Sequence, residues 1–178
     1  AVVLSGSPET AKCPPSHTLP GATPGEPAVL VDGEIVSGLE AIDRATLHSL
    51  EITCWNPESD EVHAERGVQF VHVVTKARVL DVQQALESFR SAFAAFRAET
   101  GVSPESLEEL LPFGLTSPQR FHYSMSGAGP RVAVSDDREV YRCSASLDDA
   151  EAAPVCAPDF TRARRSLRAA WDQPAGGD

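Results

Sequence analysis

Between Val29 and Lys76 the side-chain pattern changes register several times in 48 residues, and this order constrains the fold more than any other feature of the chain. Ala28–Val31 is a short apolar run, and Asp32-Gly33 is a hairpin signal, because glycine supplies the positive φ that a two-residue turn needs. Ile35-Val36 continues the hairpin. Ser37-Gly38 then precedes Leu39-Glu40-Ala41-Ile42, enough for one helical turn, and Asp43 can cap a second. Leu50 and Ile52 alternate with Ser49 and Glu51, which predicts a strand with one buried face. Asn56-Pro57 ends it. Residues 57–66 are acid-rich and without apolar period, so they form a loop or a short exposed helix. Gly67 introduces Val68-Gln69-Phe70-Val71-His72-Val73-Val74, whose β-branched content marks a central strand.

Around this stretch the chain divides into four expected segments. Residues 1–27 are a Pro-rich extended arm, because Pro8, Pro14, Pro15, Pro20, Pro24 and Pro27 remove donors and fix φ. Cys13 can clip that arm to the domain that follows. Residues 28–78 form the first α+β domain and 79–158 the second. The second opens on a helix with Asp81 as N-cap, where Val82, Leu86, Phe89, Phe93 and Phe96 recur at spacings of four and three. Gly101 stops it. Ser103-Pro104 starts a short helix with Leu107, Leu110 and Leu111 on one face. Three strands follow, through Phe121–Met125, Val132–Val134 and Glu139–Ser144, with turns at Gly127–Pro130 and Asp136-Asp137. The expected fold class is therefore α+β: a small α/β module, then an amphipathic helix packed on a three-stranded antiparallel meander.

Residues 159–178 are a basic helix and tail. Asp159 can cap a helix to about Trp171, with Leu167 and Trp171 on one face. Arg162, Arg165, Arg168 and Trp171 are candidate partner-docking residues, Arg and Trp being common interface anchors. Pro174-Ala175-Gly176-Gly177 reads as a loose end.

Two resemblances sharpen these expectations. Val31-Asp32-Gly33, Ile42-Asp43, Leu47–Ile52, Gly67-Val68 and Val74-Thr75-Lys76 follow one another in an order that resembles the plug domain of TonB-dependent outer-membrane receptors. That resemblance implies the small plug fold for residues 28–78. It does not imply transport, because no TonB-box segment and no long series of alternating barrel strands accompany it. Ala92–Gly101, Ser106–Leu110 and Phe121-His122-Tyr123 resemble the globular part of type IV pilin-like and pseudopilin-like proteins, in which a C-terminal disulfide loop is common. The hydrophobic assembly helix of those proteins is absent from this sequence.

The four cysteines, Cys13, Cys54, Cys143 and Cys156, include no C-x-x-C pair, which removes zinc-ribbon and thioredoxin-like readings. Their even number and wide spacing fit disulfides and an oxidising compartment, hence a periplasmic or secreted protein. Three connectivities are possible; the shortest closure joins Cys143 to Cys156 and leaves Cys13 for Cys54. No run of about 20 apolar residues is present to span a bilayer. AVVLSGS fits the end of a processed signal sequence or a removed membrane helix, so the gene product is expected to begin upstream of Ala1.

The formal net charge of −11, acidic in both halves, disfavours nucleic-acid binding and adhesion to anionic membrane. Catalytic signatures are missing: no G-x-S-x-G elbow, H-E-x-x-H, P-loop, EF-hand loop or dinucleotide fingerprint occurs. The best metal candidate is His63 with His72, to which Asp60, Glu61 and Glu65 can add oxygens. These residues are more simply read as exposed polar groups, and no cofactor is expected. The resulting expectation is a non-catalytic accessory subunit whose partners are protein subunits of a larger envelope complex. A pilin-like or secretion-system filament subunit, and an extracytoplasmic enzyme with a metal near His63 and His72, are the alternatives.

Overall fold

The computed structural model describes residues 3–4, 13–14, 16–116, 118–126 and 130–174. The expected turn at Gly127–Gly129, the Pro8 and Pro15 positions of the arm and the tail from Ala175 lie outside the described residues. The fold is α+β, and the chain divides into two compact units: Ala1–Ala77 with Phe160–Asp178, and Arg78–Asp159. The strands are β1 (Val3–Leu4), β2 (Ala28–Val31), β3 (Glu34–Val36), β4 (Leu47–Asn56), β5 (Glu61–Val62) and β6 (Val68–Thr75). Helix α1 (Lys76–Thr100) follows, then β7 (Phe121–Ser126), β8 (Arg131–Asp136), β9 (Tyr141–Ser146), β10 (Val155–Pro158) and helix α2 (Thr161–Trp171).

The first unit is a mixed sheet ordered β1-β4-β6-β2-β3, with β5 also paired to β4. β6 is central, antiparallel to β4 and parallel to β2, as its β-branched run requires. Asp32 and Gly33 both take positive φ, 47° and 79°, which closes the β2–β3 hairpin in the primed-turn geometry. Asp32 also ties that turn to the end of β6. The Thr75 backbone N–H donates to Asp32 Oδ1 at 2.9 Å and the Thr75 hydroxyl donates to Oδ2 at 2.8 Å. Lys76 continues the seam, donating from Nζ to the Ala45 carbonyl at 2.9 Å. One side-chain pair thus fixes the spacing between two motifs that lie far apart in sequence.

Alternation along the strands gives this sheet two apolar faces. Val29, Leu47, Val71 and Val73 form one, against which Val31, Val36, Ile42 and Leu50 pack. On the other, Leu30, Trp55, Val68 and Phe70 cluster with Leu19 of the arm and with Ala163 and Leu167 of α2. The C-terminal helix is therefore a layer of the first unit rather than a separate basic segment. The physical reason is the i, i+4 pair Ala163 and Leu167, both wholly buried, whose face is apolar while the arginines sit to its sides. The arm is held as well: Cys13 is bonded to Cys54 with their Cα atoms 5.7 Å apart, and Leu19 is buried.

In the second unit α1 covers an antiparallel sheet ordered β10-β9-β8-β7. The sheet has four strands rather than three, because β10 pairs with β9 and brings Cys156 directly opposite Cys143, to which it is bonded. Val79, Val82, Leu86, Phe89, Phe93 and Phe96 are the buried stripe of α1, and Phe89 stacks on Tyr123 of β7 with ring centroids 5.4 Å apart. The helix begins at Lys76, before the Asp81 expected to cap it; instead Asp81 lies 3.6 Å from Arg120 in an ion pair. Leu110 is buried on a 3-10 helix, Glu108–Phe113, which starts later than the short helix expected from Ser103-Pro104. Both disulfides are compatible with an extracytoplasmic protein. No helix among the described residues is long and apolar enough to cross a membrane.

Candidate functional site

The densest constellation of polar and aromatic groups in the first unit gathers where α2 crosses β4 and the 57–66 excursion. Trp55 is wholly buried, and its indole N–H donates to Asp60 Oδ1 at 2.9 Å. The Arg168 guanidinium lies 4.9 Å from the Trp55 ring centroid and donates to the Pro57 carbonyl at 2.7 Å. Trp171 meets Trp55 edge to face at 6.4 Å and His17 of the arm at 5.6 Å. Arg168 thus combines a cation–π contact with a backbone hydrogen bond, which a lysine in its place would match poorly. Gly67 is required beneath this cluster, since at φ 152° a Cβ there would collide with the Trp55 carbonyl.

The other end of α2 is fastened to the β2–β3 hairpin. Arg162 pairs with Glu34 at 2.6 Å, and the Ser166 hydroxyl donates to the Gly33 carbonyl at 2.6 Å. Of the four residues expected to face a partner, Arg162, Arg168 and Trp171 make the contacts above with their own chain, and the Arg165 side chain is exposed. Asp60, His17 and Glu34 complete this latch, and sequence reasoning had not singled them out as its members. The signal available was only the pairing of a lone buried-type Trp with a basic helix, which does not name partners.

His63 and His72 are brought to the same aromatic ring, that of Phe160. The His63 centroid lies 5.0 Å from it and the His72 centroid 4.7 Å. Their environments differ: His72 is buried within the sheet face, whereas His63 is exposed at the end of an excursion where its φ is 64°. His63 Nδ1 lies 3.4 Å from Glu51 and 3.1 Å from the Thr53 hydroxyl. Burial raises the Glu51 carboxyl above its ordinary value, with the nearby His63 pulling in the opposite direction. Asp60 is committed to Trp55, and Glu61 and Glu65 point their exposure to solvent. Among the described residues no group of three or more His, Cys, Asp or Glu gathers to hold a metal.

In the second unit the Asp136-Asp137 turn contains a buried carboxylate. Asp136 accepts from the backbone N–H groups of Val140 at 2.8 Å and Tyr141 at 3.0 Å, and lies 3.5 Å from Arg78. Arg90 of α1 plays the converse part, donating to the carbonyls of Asp149, Ala150 and Ala152 and so holding the loop before β10. Both are fastenings of backbone by charge. The phenol of Tyr123, desolvated against Phe89, is pushed up to about 12. Its hydroxyl has no hydrogen-bond partner among the described residues. No protein-family model, curated protein or solved structure matches the chain.

Proposed function

We propose that the protein is a non-catalytic accessory subunit that docks onto and stabilises a larger membrane-associated complex on its extracytoplasmic side, in the periplasm or after secretion. The observation that carries this reading is the edge of the second sheet. β7 is the last strand in the order β10-β9-β8-β7, and its residues Phe121–Ser126 include no Pro or Lys to blunt it. His122, Ser124, Met125 and Ser126 are exposed along it. An edge of this kind offers backbone donors and acceptors to an added strand of a partner. The resemblance of residues 31–76 to receptor plugs and of residues 92–123 to pilin-like domains supports a role in recognition rather than chemistry. Exposed Arg165 and the flank of α2 supply a secondary contact.

A second reading, a pilin-like or secretion-system filament subunit, is favoured by one observation: α1 laid on an antiparallel sheet whose C-terminal strand β10 is joined to β9 by Cys143–Cys156. Co-purification from the native host in mild detergent, read by mass spectrometry, tests both. Recovery of a stoichiometric set of envelope proteins, lost on Ser124→Pro in β7, is the expected result. A protein that runs alone at its own mass from native membranes defeats the docking reading. Self-associated ladders of the chain point to the filament.

A further inference from the structure

The outward face of the second sheet carries two exposed arginines in a chain of net charge −11. Val132, Val134, Tyr141, Cys143 and Ala145 point inward and are buried, so Arg131 and Ala133 of β8 and Arg142 and Ser144 of β9 face outward. Ser124, Ala133 and Ser144 lie side by side in one cross-strand row. The register then sets Arg131 on one side of that row and Arg142, opposite Ser135, on the other. Four residues of strand rise and one inter-strand step separate their Cα atoms by roughly 14 Å. Between them the floor is small side chains, and the two arginines with Ser124, Ser126, Ala133 and Ser144 line one open cavity of about 220 Å³.

Neither arginine forms a salt bridge among the described residues. Two uncompensated guanidinium groups on one face, in a chain of net charge −11, make a local positive field in an acidic surround. Guanidinium matches the planar fork of a carboxylate or a phosphate, and serine hydroxyls donate or accept as the ligand demands. Ala133 lets a ligand approach the sheet closely.

We propose that this face is a binding site for a small organic oxyanion, a carboxylate or a phosphate ester, seated over Ala133 with Arg131 and Arg142 gripping it from opposite ends. The site lies wholly within the second unit and stands or falls apart from the docking role. The test is amide chemical-shift titration of the intact chain with citrate, with glucose 6-phosphate, and with glucose as the uncharged control. Saturable shifts at Ser124, Ala133 and Ser144 are expected with at least one of the anions and none with glucose; the tighter of the two anions identifies carboxylate or phosphate as the preferred group. R131Q and R142Q are each expected to weaken binding by about tenfold, since each removes a charge-assisted pair. R131K and R142K, which keep the charge and lose the fork, are expected to fall between and serve where a Gln variant fails to fold. An absence of saturable shifts with both anions, an equal response to glucose, or unchanged affinity in the variants overturns the proposal.

Discussion

The first unit is assembled from two stretches of chain separated by the whole of the second, while the second is one continuous run from Arg78 to Asp159. Their fastenings differ accordingly. The first is held by long-range devices: a disulfide across 41 residues, the Asp32–Thr75 bridge across 43, and a C-terminal helix whose Arg168 grips the Pro57 carbonyl across 111. The second is held by a helix, a meander and a disulfide across only 13 residues, with Arg90 of α1 reaching carbonyls 59 to 62 residues further on. A unit built on distant contacts depends on parts of the chain that arrive last, and it forfeits more when one of them is removed.

The sharpest way to break this contrast is truncation after Phe160. It strips Ala163 and Leu167 from the core of the first unit, so that unit is expected to unfold while the second keeps its structure. Amide spectra that lose the β4 and β6 resonances but retain those of α1 and β8 would show it; a truncated chain with both sets intact would make α2 an ornament. The single substitution Leu167→Ala is the milder form, expected to cost about 2–5 kcal/mol in the first unit alone.

Next in size, Trp55→Ala and Phe89→Ala remove one wholly buried aromatic from each unit, each expected to cost about 3–5 kcal/mol. Trp55 carries in addition the Asp60 hydrogen bond and the Arg168 contact. Denaturant titration followed by resonances of each unit should therefore find the Trp55 change at the upper end of that range. Equal losses would mean that the latch adds nothing beyond burial.

Removing the disulfides measures the same difference as chain entropy. Opening the 41-residue closure by C13S/C54S is expected to cost about 4 kcal/mol. Opening the 13-residue closure by C143S/C156S is expected to cost about 3 kcal/mol. Non-reducing peptide mapping checks the pairings first, and free thiols in the native protein would also remove the argument for an oxidising compartment.

The smallest effect is a pH dependence of the same sign in both units, acting in the acid range through Glu51 and in the alkaline range through Tyr123. Glu51 has its folded-state pKa raised by burial, so its contribution to the first unit is fully present below the unfolded value and is lost as pH rises through the raised one. Glu51→Gln should flatten that slope in melts taken across the acid range. In the second unit Tyr123 ionises in the unfolded chain near 10 but in the fold only at about 12. Stability there should decline as pH climbs through that window, and the phenolate absorbance of Tyr123 should lag behind unfolding-competent tyrosine. Tyr123→Phe should lessen the decline, and the part that stays belongs to Tyr141, whose phenol is also raised by burial.

Local elements were legible in the sequence because short-range chemistry specifies them. Asp32-Gly33 announces a turn wherever it sits, and the β-branched run from Val68 can only be comfortable in the middle of a sheet. The phenylalanines of α1 declare which face it buries, and even the cysteine spacings narrow the pairings. The latch was not legible in the same way. Arg162, Arg168 and Trp171 look like anchors in any context, and nothing local distinguishes a foreign partner from Glu34, the Pro57 carbonyl and Trp55 of the same chain. The early start of α1 and the fourth strand of the second sheet were hidden for a related reason, since each is decided by what it pairs with and not by its own residues.

By itself, then, the sequence determined the α+β composition, the hairpin at Asp32-Gly33 and the buried stripe of α1, and it narrowed the cysteine pairings to three. These follow from backbone propensity and apolar period, which act over a few residues. Only the tertiary structure decided that α2 belongs to the first unit, that Asp136 and Arg90 fasten backbone in the second, and that Arg131 and Arg142 flank one row of small side chains. Each of those depends on register between segments far apart in the chain, where the free energy comes from burial and complementary charge and leaves no mark on neighbouring residues.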